Sequence, residues 1–463
     1  MRHARRPALA VLVAGSVLLT GCASAVAGTA TRSAGVPVDV TAAAFPITGA
    51  ADGEADRLAR NALADLETFW SQAYPEFFGE EYTPLAGGYF SVDSTAVDES
   101  AYPETGIGCE RGPTDPEEVA GNAFYDPNCD LVAYDRALLD QLGEEYGRFL
   151  GPAVMAHEMG HAMQSRFGYA DSTIVVETQA DCLAGAFTRW VVDGRAEHTT
   201  LRVAELDQVV LGFIGLRDPV GSDPDDDSAH GSGFDRLSGF YAGYEGGVGS
   251  CRDDFGEDRL FIATEFLTED DLENEGNAAY DEIGEITGTT LPAFYGTVFP
   301  GLGEQFSPPA VEAFQGTAPA CGDMGAEDRD LGYCEADGTI YVDETDLLAP
   351  AYEQIGDFAV ATAVSLAYAQ AARAQLGLSV DDAPAVSSAV CLTGWYAGRF
   401  WTGDYQDQDV SLSPGDVDEA AIFLLTYGQE EGVFPNTDLS GFEMVDAFRD
   451  GFLDGGVGCQ IGL

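Results

Sequence analysis

Five residues between His157 and Asp181 have the types and spacings of a metal-dependent hydrolase. His157, Glu158 and His161 read His-Glu-x-x-His, and Glu177 and Asp181 read Glu-x-x-x-Asp. Residues four apart on a helix share a face, so His157 and His161 can each aim a ring nitrogen at one ion. Glu158 sits about 100° round from His157 and can reach a water on that ion without binding it. Catalytic zinc usually takes three protein ligands and leaves one position open. Glu177 is the third ligand in this reading. Asp181, one turn later, accepts a hydrogen bond from a ligand histidine and fixes its tautomer. The rival is a buried cluster bonded only to itself, but burying so many charges without a cation is expensive.

Two helices must carry these side chains. Val154, Met155 and Met163, with Ala153, Ala156, Gly160 and Ala162, suit a buried helix that tolerates Pro152 in its first turn and stops at Gly168. A second helix is expected from Ser172 to Val192. Upstream, residues 56–74 read as a helix with Leu58, Leu63, Leu66 and Phe69 or Trp70 near helical spacing. Residues 85–135 read as strand and loop, including Phe124-Tyr125 and Leu131-Val132. Tyr134 to Phe149 reads as a helix with Leu138, Leu139, Leu142 and Tyr146 inward, and a further helix spans Leu201 to Leu216. The class expected is α+β, mostly helical with a small sheet.

HEMGHAMQ followed by ETQADCLAG resembles the bacterial family of predicted neutral zinc metallopeptidases, and the motif pair resembles the gluzincin pattern. The likeness covers roughly residues 60–265. It implies a zincin-like domain and one Zn2+, with His157, His161 and Glu177 as ligands. It also implies Glu158 as general base, Asp181 behind the ligands, and a sheet edge within 85–135 that pairs with a peptide substrate. His230-Gly231-Ser232 resembles the element that family carries before its last helix. That implies a hydrogen bond from His230 to the oxyanion of the tetrahedral intermediate; the alternative is a helix-start histidine with a local partner. Arg236 orients a site carboxylate, binds a substrate carboxylate, or forms a structural ion pair. His198 lies in a polar stretch and reads as a surface residue.

The chain also resembles itself. Gly147-Arg148-Phe149 aligns with Gly356-Asp357-Phe358, and the same offset pairs Gly168 with Gly377, Cys182 with Cys391 and Gly185 with Gly394. GGVGSC ending at Cys251 matches GGVGC ending at Cys459, and the stretch from Phe69 matches that from Phe294. Cys109 and Cys129 correspond to Cys321 and Cys334. Two copies of one unit are expected, at 51–274 and 275–463. The second copy lacks the chemistry: His157, Glu158 and His161 fall on Leu366, Ala367 and Gln370, and Glu177 and Asp181 on Val386 and Val390. Aligning LSGF at Leu237–Phe240 with LSGF at Leu439–Phe442 puts His230 on Gly432 and Arg236 on Asp438. The repeat suggests disulfides Cys109–Cys129, Cys182–Cys251, Cys321–Cys334 and Cys391–Cys459. A cysteine-bound metal is the alternative, disfavoured because no Cys-x-x-Cys pair exists.

At 463 residues the chain exceeds one ordinary core, and 45% hydrophobic residues suit globular packing. A formal charge of -58, with no lysine, repels nucleic-acid phosphates and anionic lipid headgroups. The acidic loop Ser222–Ser228 lacks an EF-hand pattern, so solvated loop is preferred to calcium site. Residues 1–21, with Arg2, Arg5 and Arg6 before the apolar run Ala8–Leu19, read as a signal peptide. Leu19-Thr20-Gly21-Cys22 resembles a lipobox, which implies lipidation of Cys22; the alternative is a secretory signal cleaved near Ala25 or Ala27. Residues 22–50 read as a flexible tether. The expectation is a lipid-anchored zinc endopeptidase on the outer face of the cytoplasmic membrane, acting on peptides or proteins. The alternatives are a non-peptidase zinc hydrolase and a silent envelope scaffold whose second copy binds a protein partner.

Overall fold

The computed structural model describes residues 37–462 apart from 105, 110–111, 171, 227, 257–258, 405–409 and 436. The signal peptide, Cys22 and the start of the tether lie outside the described residues.

The first half opens with α1 (Glu54–Phe78), longer than the 56–74 expected. Pro75 forgoes one backbone donor near the helix end, and Gly79 stops the helix at φ 77°. Strands β1 (Gly88–Val92), β2 (Ala123–Asp126) and β3 (Leu131–Asp135) form a sheet of order β1-β3-β2, with β1 parallel and β2 antiparallel to β3. Helices α2 (Arg136–Tyr146), α3 (Leu150–Phe167), α4 (Thr173–Val192), α5 (Leu206–Gly215) and α6 (Gly233–Asp253) follow. Within α2, Leu139 and Leu142 are buried, and Leu138 and Tyr146 are packed partly against the same core.

The second half runs α7 (Glu269–Glu273), α8 (Tyr280–Val298), β4 (Ala310–Phe314), α9 (Asp323–Glu327), β5 (Leu331–Cys334), β6 (Thr339–Asp343), α10 (Ala349–Gln354), α11 (Asp357–Gln375), α12 (Ala383–Trp401), α13 (Asp416–Tyr427) and α14 (Gly441–Asp454). Its sheet has order β4-β6-β5 with the same parallel and antiparallel pairings. The molecule is mostly helical with two small mixed sheets, an α+β arrangement.

The site helices are apolar nearly all round because they are buried on several sides. Gly160 of α3 lets α4 approach: a Cβ there would stand 3.1 Å from Ala180 Cα. A Cβ on Gly243 of α6 would collide with the Cys182 carbonyl of α4, and Gly451 of α14 meets the Cys391 carbonyl of α12 in the same way. The four expected cysteine pairs lie at disulfide distance, with Cα separations of 5.5 Å for Cys109–Cys129, 5.5 Å for Cys182–Cys251, 6.0 Å for Cys321–Cys334 and 5.2 Å for Cys391–Cys459. Cys182–Cys251 ties α4 to α6, a cross-link of a kind typically contributing roughly 2–4 kcal/mol.

Two expectations need correction. Residues 37–50 are not a free tether: Thr48 bridges β1 through Thr48 N to Tyr89 O and Ser91 N to Thr48 O, each 2.9 Å. Ile47 is buried, and the Phe45 ring lies 5.0 Å from Tyr89, so apolar side chains fasten a segment whose composition looks unstructured. The LSGF alignment is out of register. Leu237–Phe240 lies inside α6, whereas Ser440 is the N-cap of α14, matching Ser232 as N-cap of α6; each forms a capping box, with Asp235 and Glu443. In that register Arg236 falls on Met444 and His230 on Asp438, so neither side chain recurs, as expected, though at different positions. His198, read as a surface residue, is half-buried, and its exposed Nδ1 bond to the Val38 carbonyl at 2.6 Å helps hold the same N-terminal segment.

Candidate metal centre

His157 Nε2, His161 Nε2 and Glu177 Oε2 form a triangle with sides of 3.0, 3.2 and 3.3 Å. A tetrahedral zinc with bonds of about 2.0–2.2 Å spaces its ligand atoms about 3.3–3.6 Å apart, so the triangle is slightly tighter than such a site. The two rings come from one face of α3 and stand edge-on, 89° apart. Glu177 comes from α4, which packs across α3 at Gly160 and Ala180.

The outer contacts fix which atoms face inward. His157 Nδ1 lies 2.7 Å from Asp181 Oδ1. His161 Nδ1 lies 2.8 Å from Gln164 Oε1. Both partners accept, so both Nδ1 atoms carry protons and both Nε2 lone pairs point toward the triangle. Two such lone pairs 3.0 Å apart repel unless a cation lies between them. Glu177 Oε2 is buried and has no hydrogen-bond partner, despite its nearness to both rings. Burial alone would lower the His157 pKa; the charge and hydrogen bond of Asp181, then Glu177, raise it to about 10. The site therefore calls for positive charge. The donor set fits zinc, two imidazole nitrogens and one carboxylate oxygen.

Asp181 is fully buried and gripped by Arg236, with Nε to Oδ2 and Nη2 to Oδ1 both 2.9 Å. Burial would raise the Asp181 carboxyl, but the Arg236 and His157 charges hold it low. Arg236 is thus engaged in an ion pair with this site carboxylate. Arg236 Nη1 also bonds Leu216 O at 2.5 Å.

Glu158 is 6% exposed and lies outside the ligand triangle. Burial raises its carboxyl pKa, the charges of His157 and His161 oppose the rise, and the Tyr125 backbone amide on β2 opposes it further. His230 Nε2 stands 3.9 Å from Glu177 Oε2, beside the triangle. Asp218 holds the ring through Nδ1 at 3.2 Å and the backbone through His230 N at 2.6 Å and Gly231 N at 2.9 Å. Gly231 takes φ +97°, a conformation that suits glycine and turns the chain into α6.

Gln164 and Asp218 are the site residues that motif reasoning left unassigned. Gln164 closes the HEMGHAMQ motif, three residues after His161 and on the same helix face, and those are the local signals that mark it. Its Nε2 donates to Val176 O at 2.7 Å and Gln179 Oε1 at 2.9 Å, and Gln179 Nε2 donates to Cys251 O at 2.8 Å. In the second half Arg373 Nη1 donates to Ser388 Oγ, and Ser388 Oγ to Cys459 O, each 2.5 Å. Gln164→Met should weaken zinc binding by about 10–100-fold, since it frees the His161 tautomer. A chelator-competition titration of both proteins measures it, and an unchanged affinity would sink this role.

Among the described residues, three further groups could bring ligand atoms together. Cys321 and Cys334 are spent in a disulfide, and of Asp330, Asp343 and Asp346 the first is half-buried, the second buried and the third exposed. Asp357, Asp416 and Glu419 are largely buried. Burial, then the Asp357 charge, raises Asp416, and raises Glu419 to about 8. Between pH 4.5, the ordinary value for Glu419, and about 8, the unfolded chain is ionised where the fold holds a proton. Stability present at pH 4.5 is therefore lost as pH rises through 8, by on the order of 2–4 kcal/mol. Thermal melts at pH 5 and 9 should show a fall several degrees larger in the unaltered protein than in Glu419→Gln; equal falls would refute it.

The acidic loop from Ser222 is exposed, and Asp223 and Asp226 accept hydrogen bonds from within it. Asp227 lies outside the described residues.

No family model matches the chain, and no solved structure matches it. Uncharacterized proteins of Mycobacterium bovis and Mycobacterium tuberculosis are 28% identical over 179 residues, covering 33% of this chain and 59% of theirs. The chain thus spans less than two thirds of the length of these curated relatives.

Proposed function

We propose that the first half is a zincin-like, zinc-dependent endopeptidase, and that the second half is a degenerate copy of it without metal ligands. The observation that carries this reading is the largely buried triangle of His157 Nε2, His161 Nε2 and Glu177 Oε2, with a carboxylate outside it, Glu158, alongside. Bound zinc would supply a Lewis acid that polarises a scissile carbonyl and acidifies its water. Glu158 takes the proton from the attacking water and passes it to the leaving amine. Asp218 accepts from His230 Nδ1, so His230 Nε2 donates to the developing oxyanion as the imidazolium. The outer edge of β2, which carries Tyr125 next to Glu158, pairs with the backbone of an extended peptide.

The duplication is supported by two sheets of matching order, matching helix caps and matching disulfides. At the ligand positions the second half carries Leu366, Gln370 and Val386, and at the position of Glu158 it carries Ala367, all buried. The signal and lipobox residues support an extracytoplasmic, membrane-anchored protein. Among the described residues no helix is long and apolar enough to cross a membrane. The acidic surface disfavours nucleic acid as a partner.

Metal analysis of the purified protein, with a mixed peptide library assayed before and after chelation and zinc return, tests the proposal. One equivalent of zinc and chelator-sensitive internal cleavage are expected. Zinc with ester or amide turnover but no peptide cleavage would replace peptidase by another hydrolase.

A further inference from the structure

The last helix of each half is capped by a carboxylate from the other half. Asp418 of α13 accepts from Gly233 N at 3.0 Å and Phe234 N at 2.7 Å, at the start of α6. Asp207 of α5 accepts from Gly441 N at 3.1 Å and Phe442 N at 2.7 Å, at the start of α14. Rings follow the same exchange: Phe234 lies 4.9 Å from Phe452, and Phe442 lies 4.9 Å from Tyr244. This is the reciprocity of an isologous dimer interface, here within one chain.

The two caps are alike in form and unlike in consequence. Asp418 is 2% exposed, and Arg217 Nη1 stands 3.0 Å from its Oδ2, a charge contact rather than an aligned hydrogen bond. Arg217 lies between Leu216, whose carbonyl accepts from Arg236, and Asp218, which holds His230. Three consecutive residues thus link Asp418 to both arms of the metal centre. The capped helix itself carries Arg236, which grips Asp181 and through it His157. On the other side, Asp207 caps a helix with Met444 in the place of Arg236, and no ligand lies beyond.

We infer that the second half completes the metal centre of the first, with Asp418 as a positioning residue for Arg236 and His230. The inference rests on the zinc reading above and adds to it a reason for the second half to remain attached. A free first half would keep the Ser232 capping box but leave the Gly233 and Phe234 amides of α6 without their acceptor, and Arg217 without its carboxylate. Losing these acceptors loosens the first turn, which bears Arg236.

The mirror cap supplies the control. Asp418→Asn and Asp207→Asn remove equivalent charges from equivalent helix starts. Both should lower the melting temperature of the zinc-free protein. Only Asp418→Asn should weaken zinc binding, by about tenfold in chelator competition, the lower end of what outer partners of ligands contribute. Combined with Arg236→Gln, Asp418→Asn should add little further loss, because both act through one path. If Asp418→Asn does not fold, Gly233→Ala and Gly441→Ala take its place. An added Cβ would stand 2.9 Å from Asp418 Oδ2 in the first and 3.2 Å from Asp207 Oδ2 in the second. Gly233→Ala alone should then weaken zinc binding. Zinc bound by the unaltered protein but equally by both members of a pair would overturn the inference alone. No zinc bound by the unaltered protein would overturn the metal reading and this inference with it.

Discussion

Glu158→Gln should keep its full complement of zinc and lose peptide hydrolysis by about 10²–10⁴-fold, the usual contribution of a positioned general base. The geometry separates the two outcomes. The three atoms that can meet at an ion belong to His157, His161 and Glu177, so an amide at position 158 leaves them in place. Glu158 is buried beside them, in surroundings that raise its carboxyl pKa, which suits a group that must both accept and return a proton. Glutamine keeps the shape and cannot take the proton. Metal content and single-turnover cleavage of the same preparation decide the matter. Hydrolysis within tenfold of the unaltered protein would remove Glu158 from the chemistry; lost zinc would make it a ligand or a support for one.

Glu177→Ala should abolish stoichiometric zinc binding, a larger effect than the 10–100-fold expected for an outer partner. It removes one of three donors and the one negative charge in the triangle. The second half suggests a companion experiment. His157→Leu, Glu177→Val, Asp181→Val and Arg236→Met together give the first half the residues found at the matching positions of the second. Replacing buried ion pairs by packed apolar groups is often neutral or stabilising by 1–4 kcal/mol. This variant should fold, melt no lower than the zinc-free parent, and bind no zinc. Failure to fold would mean that the packing around the two sites differs more than the shared element order implies. Retained zinc in either variant would mean that the ion sits elsewhere.

Much of the candidate centre was legible before any coordinates. Helical periodicity placed His157 with His161 and Glu177 with Asp181, and both helices end within a residue or two of expectation. The cysteine pairing followed from comparing the halves, because repeated spacing constrains connectivity where a single set of cysteines does not. Other features were hidden. The LSGF match misled because identical words can sit in different turns of equivalent helices; the N-cap, a three-dimensional feature, sets the register. Residues 37–50 looked like linker because a few apolar anchors carry little compositional weight.

Spacing along the chain thus determined which side chains share a helix face, since that depends only on 3.6 residues per turn. It could not determine which faces meet. That Asp181 answers Arg236, that Gln164 holds His161, and that Asp418 caps a helix 184 residues away are decided by packing across the fold. Such contacts depend on buried surfaces and charges from distant segments coming together, for which no local pattern exists.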